Sequence, residues 1–316
     1  MALRFAIYYS SLRQRRPGIL DNAAWRLKLA KTSESRLFCT NCGKILEDSQ
    51  AGFCPGCGAP TTAVRDPLAG IPGESGSARL TVPWRGGQVA WGLLFLVVGA
   101  SVLLLIVAIM LLLTGELNLA LAAWASSVLV GLVILFIVWY LGLRPTGASI
   151  AILGLRTISI PASRAILWTV VVLVSSFGAT FLYSTIMEWI GVDWLLPPEN
   201  YAEIVFEGPA VALTFMALAV WTPLTEELFF RGFVFAGLVP QRGVARALVF
   251  SAMIFSAFHL LAGPGVLVPV FFTGLLLAWL YHRTGSLWPS IAAHAGQNGA
   301  ALLATIYGPS LSLSSV

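Results

Sequence analysis

From Gln88 onward, apolar positions run together in stretches of about 18 or more residues, broken only by short polar joints. A helix rising about 1.5 Å per residue covers the roughly 30 Å of bilayer hydrocarbon in such a stretch. The pattern predicts seven segments, at 88–113, 119–143, 165–190, 209–239, 244–262, 265–282 and 286–307. The expected fold is therefore all-α, a polytopic transmembrane helix bundle. Residues 1–87 break the pattern: they are polar, rich in Arg, and hold all four cysteines.

Composition agrees with a membrane chain. Hydrophobic residues make up 58% of the 316, charged residues only 10%, and the mean hydropathy is +0.85, against 45–50% apolar in ordinary soluble domains. The joints alternate in charge. Residues 114–118 and 263–264 carry no Lys or Arg, and 191–208 is acidic through Asp193, Glu199, Glu203 and Glu207. The intervening joints and their flanks hold Arg144, Arg156, Arg164, Arg242, Arg246 and Arg283. By the positive-inside rule this expects a multi-pass protein of the cell membrane, with a cytosolic N-terminus and an external C-terminus. No cleavable signal peptide is visible.

The polar N-terminal part divides into three. Residues 1–36 form a basic arm with eight Lys or Arg against Asp21 and Glu34, able to rest on anionic lipid. Residues 37–58 hold Cys39-Thr-Asn-Cys42 and Cys54-Pro-Gly-Cys57, two thiol pairs that can close a tetrahedral four-thiolate zinc site. Gly43 and Gly58 follow the second cysteine of each pair, where tight turns are needed. Structural zinc would supply folding energy that so short a segment cannot draw from a core. Known zinc ribbons look like this segment and mostly bind partners, so a protein partner is expected here, whereas nucleic acid is not. Residues 59–87 are Pro- and Gly-rich and read as a flexible linker to the membrane domain, 88–316.

Ionisable residues inside the apolar segments are few. They are Glu188 near an outer end, Glu226, Glu227, Arg231, His259, His294, and His282 at an inner end beside Arg283. Charges at bilayer depth cost several kcal/mol unless paired or wetted, so they mark a functional site by default. Glu227 and Arg231 lie four residues apart in the favourable order and can pair on one helix face. Glu226 is turned about 100° away and escapes that pairing. The Arg-paired carboxylate stays ionised, and its neighbour is free to exchange a proton, as a general base must. His294 and Asn298 also share a face, opposite the small residues Ala292, Gly296 and Ala300, which suit close helix packing.

Glu226-Glu227-x3-Arg231, Phe255-x3-His259 and His294-x3-Asn298, in this order, resemble the CAAX protease and bacteriocin-processing (CPBP) family of intramembrane endopeptidases, over roughly residues 165–307. The resemblance implies that Glu226 and His259 activate a water while His294 and Asn298 stabilise the oxyanion. Glu227 and Arg231 would orient them. Phe255 matches the second motif, and packing alone would account for it. The substrate implied is a membrane-associated peptide or protein, reached through a cavity expected to open toward the cytosol.

A zinc-dependent metalloendopeptidase is the competing chemistry, because His259, His294 and one glutamate make a two-histidine, one-carboxylate set. The chain lacks an HExxH helix, and Asn298 suits an oxyanion better than a metal, which favours the glutamate. Outside peptidases, the polar cluster would also suit a membrane scaffold, a bacteriocin-immunity protein or a proton-coupled transporter. Transport fits least, since no inverted repeat is evident.

Overall fold

The computed structural model describes residues 82–114, 118–197 and 202–313, together with two short strands, β1 (Leu37–Phe38) and β2 (Ile45–Leu46). Two compact units divide at Ser75 and Gly76. In the first, β1 and β2 pair antiparallel, Leu37 opposite Leu46 and Phe38 opposite Ile45. In sequence, this hairpin brackets the first thiol pair. Cys39, Cys42, Cys54 and Cys57, the basic arm and most of the linker lie outside the described residues.

The described elements of the second unit are all helical. They are α1 (Gly86–Thr114), α2 (Leu119–Leu143), α3 (Ala162–Trp189), α4 (Gly208–Arg242), α5 (Val244–Phe258), α6 (Pro264–Thr284) and α7 (Trp288–Leu313). Five of them, α1 to α4 and α6, are long and apolar enough to cross a membrane. α5 has only 15 residues, and α7 gives up apolar character to Ser290, His294, Gln297 and Asn298. The seven expected segments thus each hold a helix, but two differ from an ordinary span. The expected fifth segment ran to residue 262, whereas α5 stops at Phe258 and a tight turn, Leu260–Ala262, follows before Gly263 at φ +106°.

α4 is the central helix. Thr225 through Leu238 are all buried, and a helix apolar all round belongs inside a bundle. Its aromatic ladder makes the core: Phe229 meets Phe230 edge-on at 5.1 Å and stacks on Phe233 at 5.7 Å, while Phe230 meets Phe255 of α5 at 5.0 Å. Trp84 closes one end, its indole N–H donating to the Phe233 carbonyl at 2.8 Å. At Gly232 a Cβ would stand 2.8 Å from the Leu153 carbonyl oxygen, so only glycine lets α4 approach the 150–153 turn this closely.

α4 is not a uniform α-helix. Phe215–Trp221 and Leu228–Phe235 are wide π-type turns, and between them Thr222–Glu227 is regular. The Thr222 N–H reaches back five residues to the Ala217 carbonyl. Pro223 follows directly, and its ring cannot continue an α-helical ladder. Wide turns of this kind recur at functional sites, and this pair brackets both glutamates.

Candidate active site

Glu227 and Arg231 are both fully buried, with Arg231 Nη1 donating to Glu227 Oε1 at 2.8 Å. The same oxygen lies 3.0 Å from His294 Nδ1. Glu227 therefore binds α4 to α7 through a carboxylate oxygen shared by a guanidinium and an imidazole. Because Nδ1–H is spent on Glu227, the other ring nitrogen of His294 faces Glu226, with Nε2 to Oε2 at 3.8 Å. The i, i+4 pairing expected from the sequence is present, and Glu226 does stand outside it.

Phe255 is the hub of the site. The Arg231 guanidinium carbon sits 4.2 Å from its ring centre, His259 meets it edge-on at 4.7 Å, and His294 at 5.8 Å. One phenyl face thus takes the cation and the ring holds both imidazoles in place. His259 is half-buried just past the end of α5, its Nδ1 2.9 Å from the Phe255 carbonyl. The structure brings Glu226 next to His294, while His259 keeps to Phe255. Asn298 is half-buried one turn beyond His294 and donates from Nδ2 to the Leu218 carbonyl of α4 at 2.8 Å. The small face of α7 packs as its sequence suggests: a Cβ on Gly296 would touch Leu173 of α3 at 3.4 Å.

Several buried polar atoms here have no hydrogen-bond partner: Glu226 Oε2, Glu227 Oε2, Arg231 Nε and Thr222 Oγ1. Leaving such atoms unpaired is costly, so a cluster of them calls for an explanation. A cavity of about 220 Å³ reaches Glu226, far above the roughly 10–15 Å³ that one water occupies. Its walls are Ala100 and Leu104 of α1, Ser126, Ser127, Val130, Gly131 and Ile134 of α2, Thr222 and Thr225 beside Glu226, and Phe258 and Leu261. His259, His294 and Asn298 are not among its walls.

Sequence reasoning passed over most of that wall. α1 and α2 contribute to it, yet no charge in either helix marks them. Gly131 alone carried a signal, as a glycine within an apolar helix: a Cβ there would collide with the Trp221 indole. Phe255 is the other residue undervalued, since packing is also what positions the polar groups.

For catalytic zinc the donor set does not fit. Among the described residues no group of three or more His, Cys, Asp or Glu is placed to hold a metal ion. His259 is turned to its own helix, and the two glutamates share His294 instead.

Residues 208–300 match the family model described as Rce1-like, type II CAAX prenyl endopeptidase. No curated protein and no solved structure matches the chain. The match covers α4 through the first half of α7, the stretch that contains Glu226, Glu227, Arg231, Phe255, His259, His294 and Asn298, and supports a CAAX-type intramembrane protease at the family level.

Proposed function

We propose that the protein is an intramembrane endopeptidase that hydrolyses a peptide bond near a membrane-associated segment of its substrate, with Glu226 as general base. The observation that carries this reading is a carboxylate oxygen without a hydrogen-bond partner on Glu226, at the wall of a cavity large enough for water. Glu226 takes a proton from water as the water oxygen attacks the scissile carbonyl carbon. His294, through Nε2, and the Asn298 amide stabilise the oxyanion. The tetrahedral intermediate collapses with C–N cleavage, and the proton held by Glu226 passes to the leaving amine. Glu227 and Arg231 orient His294, and Phe255 orients Arg231. His259 assists Glu226 in activating the water once substrate fills the cavity.

Glu226→Gln keeps the shape of the side chain and removes the base. A reporter membrane protein should then be cleaved at least about 100-fold more slowly, the lower range for loss of general-base catalysis. Parental cleavage rates in this variant would overturn Glu226 as the base, whereas a parental chain that leaves the reporter uncut would favour a scaffold.

We further propose that the four cysteines hold one structural zinc. This rests on the spacing of the thiol pairs and on the hairpin that brackets the first. Metal analysis should give one zinc per chain, lost in Cys39→Ser.

A further inference from the structure

Threonines in the helices of this chain follow a common habit. Thr169, Thr180, Thr225 and Thr305 each donate from the hydroxyl to the carbonyl four residues back, at 2.8–3.1 Å, the usual outlet for a hydroxyl on a helix. Thr222 departs from it: its Oγ1 is buried and has no hydrogen-bond partner. The cause lies in the wide turn before it. There the Thr222 N–H reaches the Ala217 carbonyl, and the Leu218 carbonyl, four residues before Thr222, accepts from Asn298 Nδ2 of α7 instead. The turn that gives Asn298 its anchor thus takes from Thr222 its customary acceptor.

A buried hydroxyl left unpaired destabilises a fold, a penalty that a bound water relieves. Thr222 lines the same cavity as Glu226, whose Oε2 also lacks a hydrogen-bond partner. Both belong to the regular stretch Thr222–Glu227, and a spacing of four residues sets their Cβ atoms about 5–6 Å apart on one helix face. Two hydrogen bonds of about 2.8 Å each bridge such a gap through one water. A helical threonine divides between two χ1 rotamers, so a turn about Cα–Cβ brings the hydroxyl to the cavity wall. Thr225, the other threonine beside Glu226, has its hydroxyl spent on the Trp221 and Thr222 carbonyls at 3.0 and 3.2 Å.

We propose that Thr222 is a further catalytic residue, whose hydroxyl holds the attacking water against Glu226. This rests on the peptidase reading above. The water donates one hydrogen to Glu226 Oε2 and the other to Thr222 Oγ1, which leaves an oxygen lone pair free for the scissile carbonyl carbon. As the new C–O bond forms, the first proton passes to Glu226 and the carbonyl π pair becomes the oxyanion. Thr222 stays neutral throughout: it gives up no proton and fixes only the direction of attack. Held at two points, the water is in place before the substrate arrives.

Thr222→Val keeps the shape of the side chain and removes the hydroxyl, and Thr222→Ser keeps the hydroxyl. In reporter cleavage by the full chain in detergent micelles, kcat of Thr222→Val should fall about ten-fold or more, the scale of one lost hydrogen bond. KM should stay within about two-fold of parental, because substrate binding is untouched. Thr222→Ser should keep most of the parental kcat. The unfolding midpoint of Thr222→Val should hold or rise, since the folded chain loses no hydrogen bond of its own. Combined with Glu226→Gln, Thr222→Val should slow cleavage no further, as both groups act on one water. Parental kcat in Thr222→Val, a rise in KM in place of the fall in kcat, a lowered midpoint, a Thr222→Ser as slow as Thr222→Val, or losses that multiply in the double variant would each overturn the proposal. Those outcomes leave the peptidase reading standing where the parental chain cleaves and Glu226→Gln does not, whereas a parental chain without cleavage would remove both.

Discussion

Glu227 accepts from both Arg231 and His294 through one oxygen, so the buried ionic contact extends from one helix to two. Removing one member of a buried pair leaves an uncompensated charge, at about 3–5 kcal/mol. Arg231→Leu should therefore lower the stability of the detergent-solubilised protein by that order in an unfolding titration, and abolish cleavage with it. Phe255→Leu separates the two effects. It retains most of the apolar volume but removes the ring face beneath Arg231, an interaction of about 0.5–2 kcal/mol. Cleavage should fall by at least ten-fold while the unfolding midpoint shifts little. Comparable losses of stability and activity would reduce Phe255 to packing.

At the scale of elements, the sequence displayed the helices well and their relations poorly. Long apolar runs and charged joints revealed the positions of α1 to α7, because lipid demands that length and composition. The i, i+4 spacings of Glu227 with Arg231 and of His294 with Asn298 revealed two faces of the site. Neighbouring helices were another matter. That His294 lies between both glutamates, or that α1 and α2 wall the cavity, depends on packing between segments more than 60 residues apart. The end of α5 was also missed, since Leu260 and Leu261 prolong the apolar run after the helix has stopped. Gly131 makes the packing testable. Gly131→Val would drive side-chain atoms into Trp221 and the cavity, at about 1–3 kcal/mol for an overpacked core. A slower reporter turnover with only a modest loss of stability is expected.

For the whole molecule, the division at Ser75 and Gly76 separates the thiol-bearing unit from the helices that hold the site. Every catalytic group proposed here lies within Gly208–Leu313, so chemistry and metal content should be separable. Cys39→Ser should lose its zinc yet retain cleavage of a reporter supplied at saturating level, as read by turnover in detergent micelles. A collapse of turnover with the metal would tie the ribbon to the catalytic step. The division falls inside the Pro- and Gly-rich stretch 59–87 that the sequence reads as a linker.

The wide turns of α4 have a mechanical corollary. Each holds one residue more than an α-helical turn would, a surplus that fixes the azimuth of Thr222–Glu227 relative to the helix on either side. Excising Ala219 would let the first turn tighten to ordinary α-helix, and the segment before it would swivel about 100° around the shared axis. Leu218, whose carbonyl anchors Asn298, would swing off α7 while Glu226 and Glu227 held their places. A single deleted alanine should thus unlatch the amide and leave the carboxylates where they are.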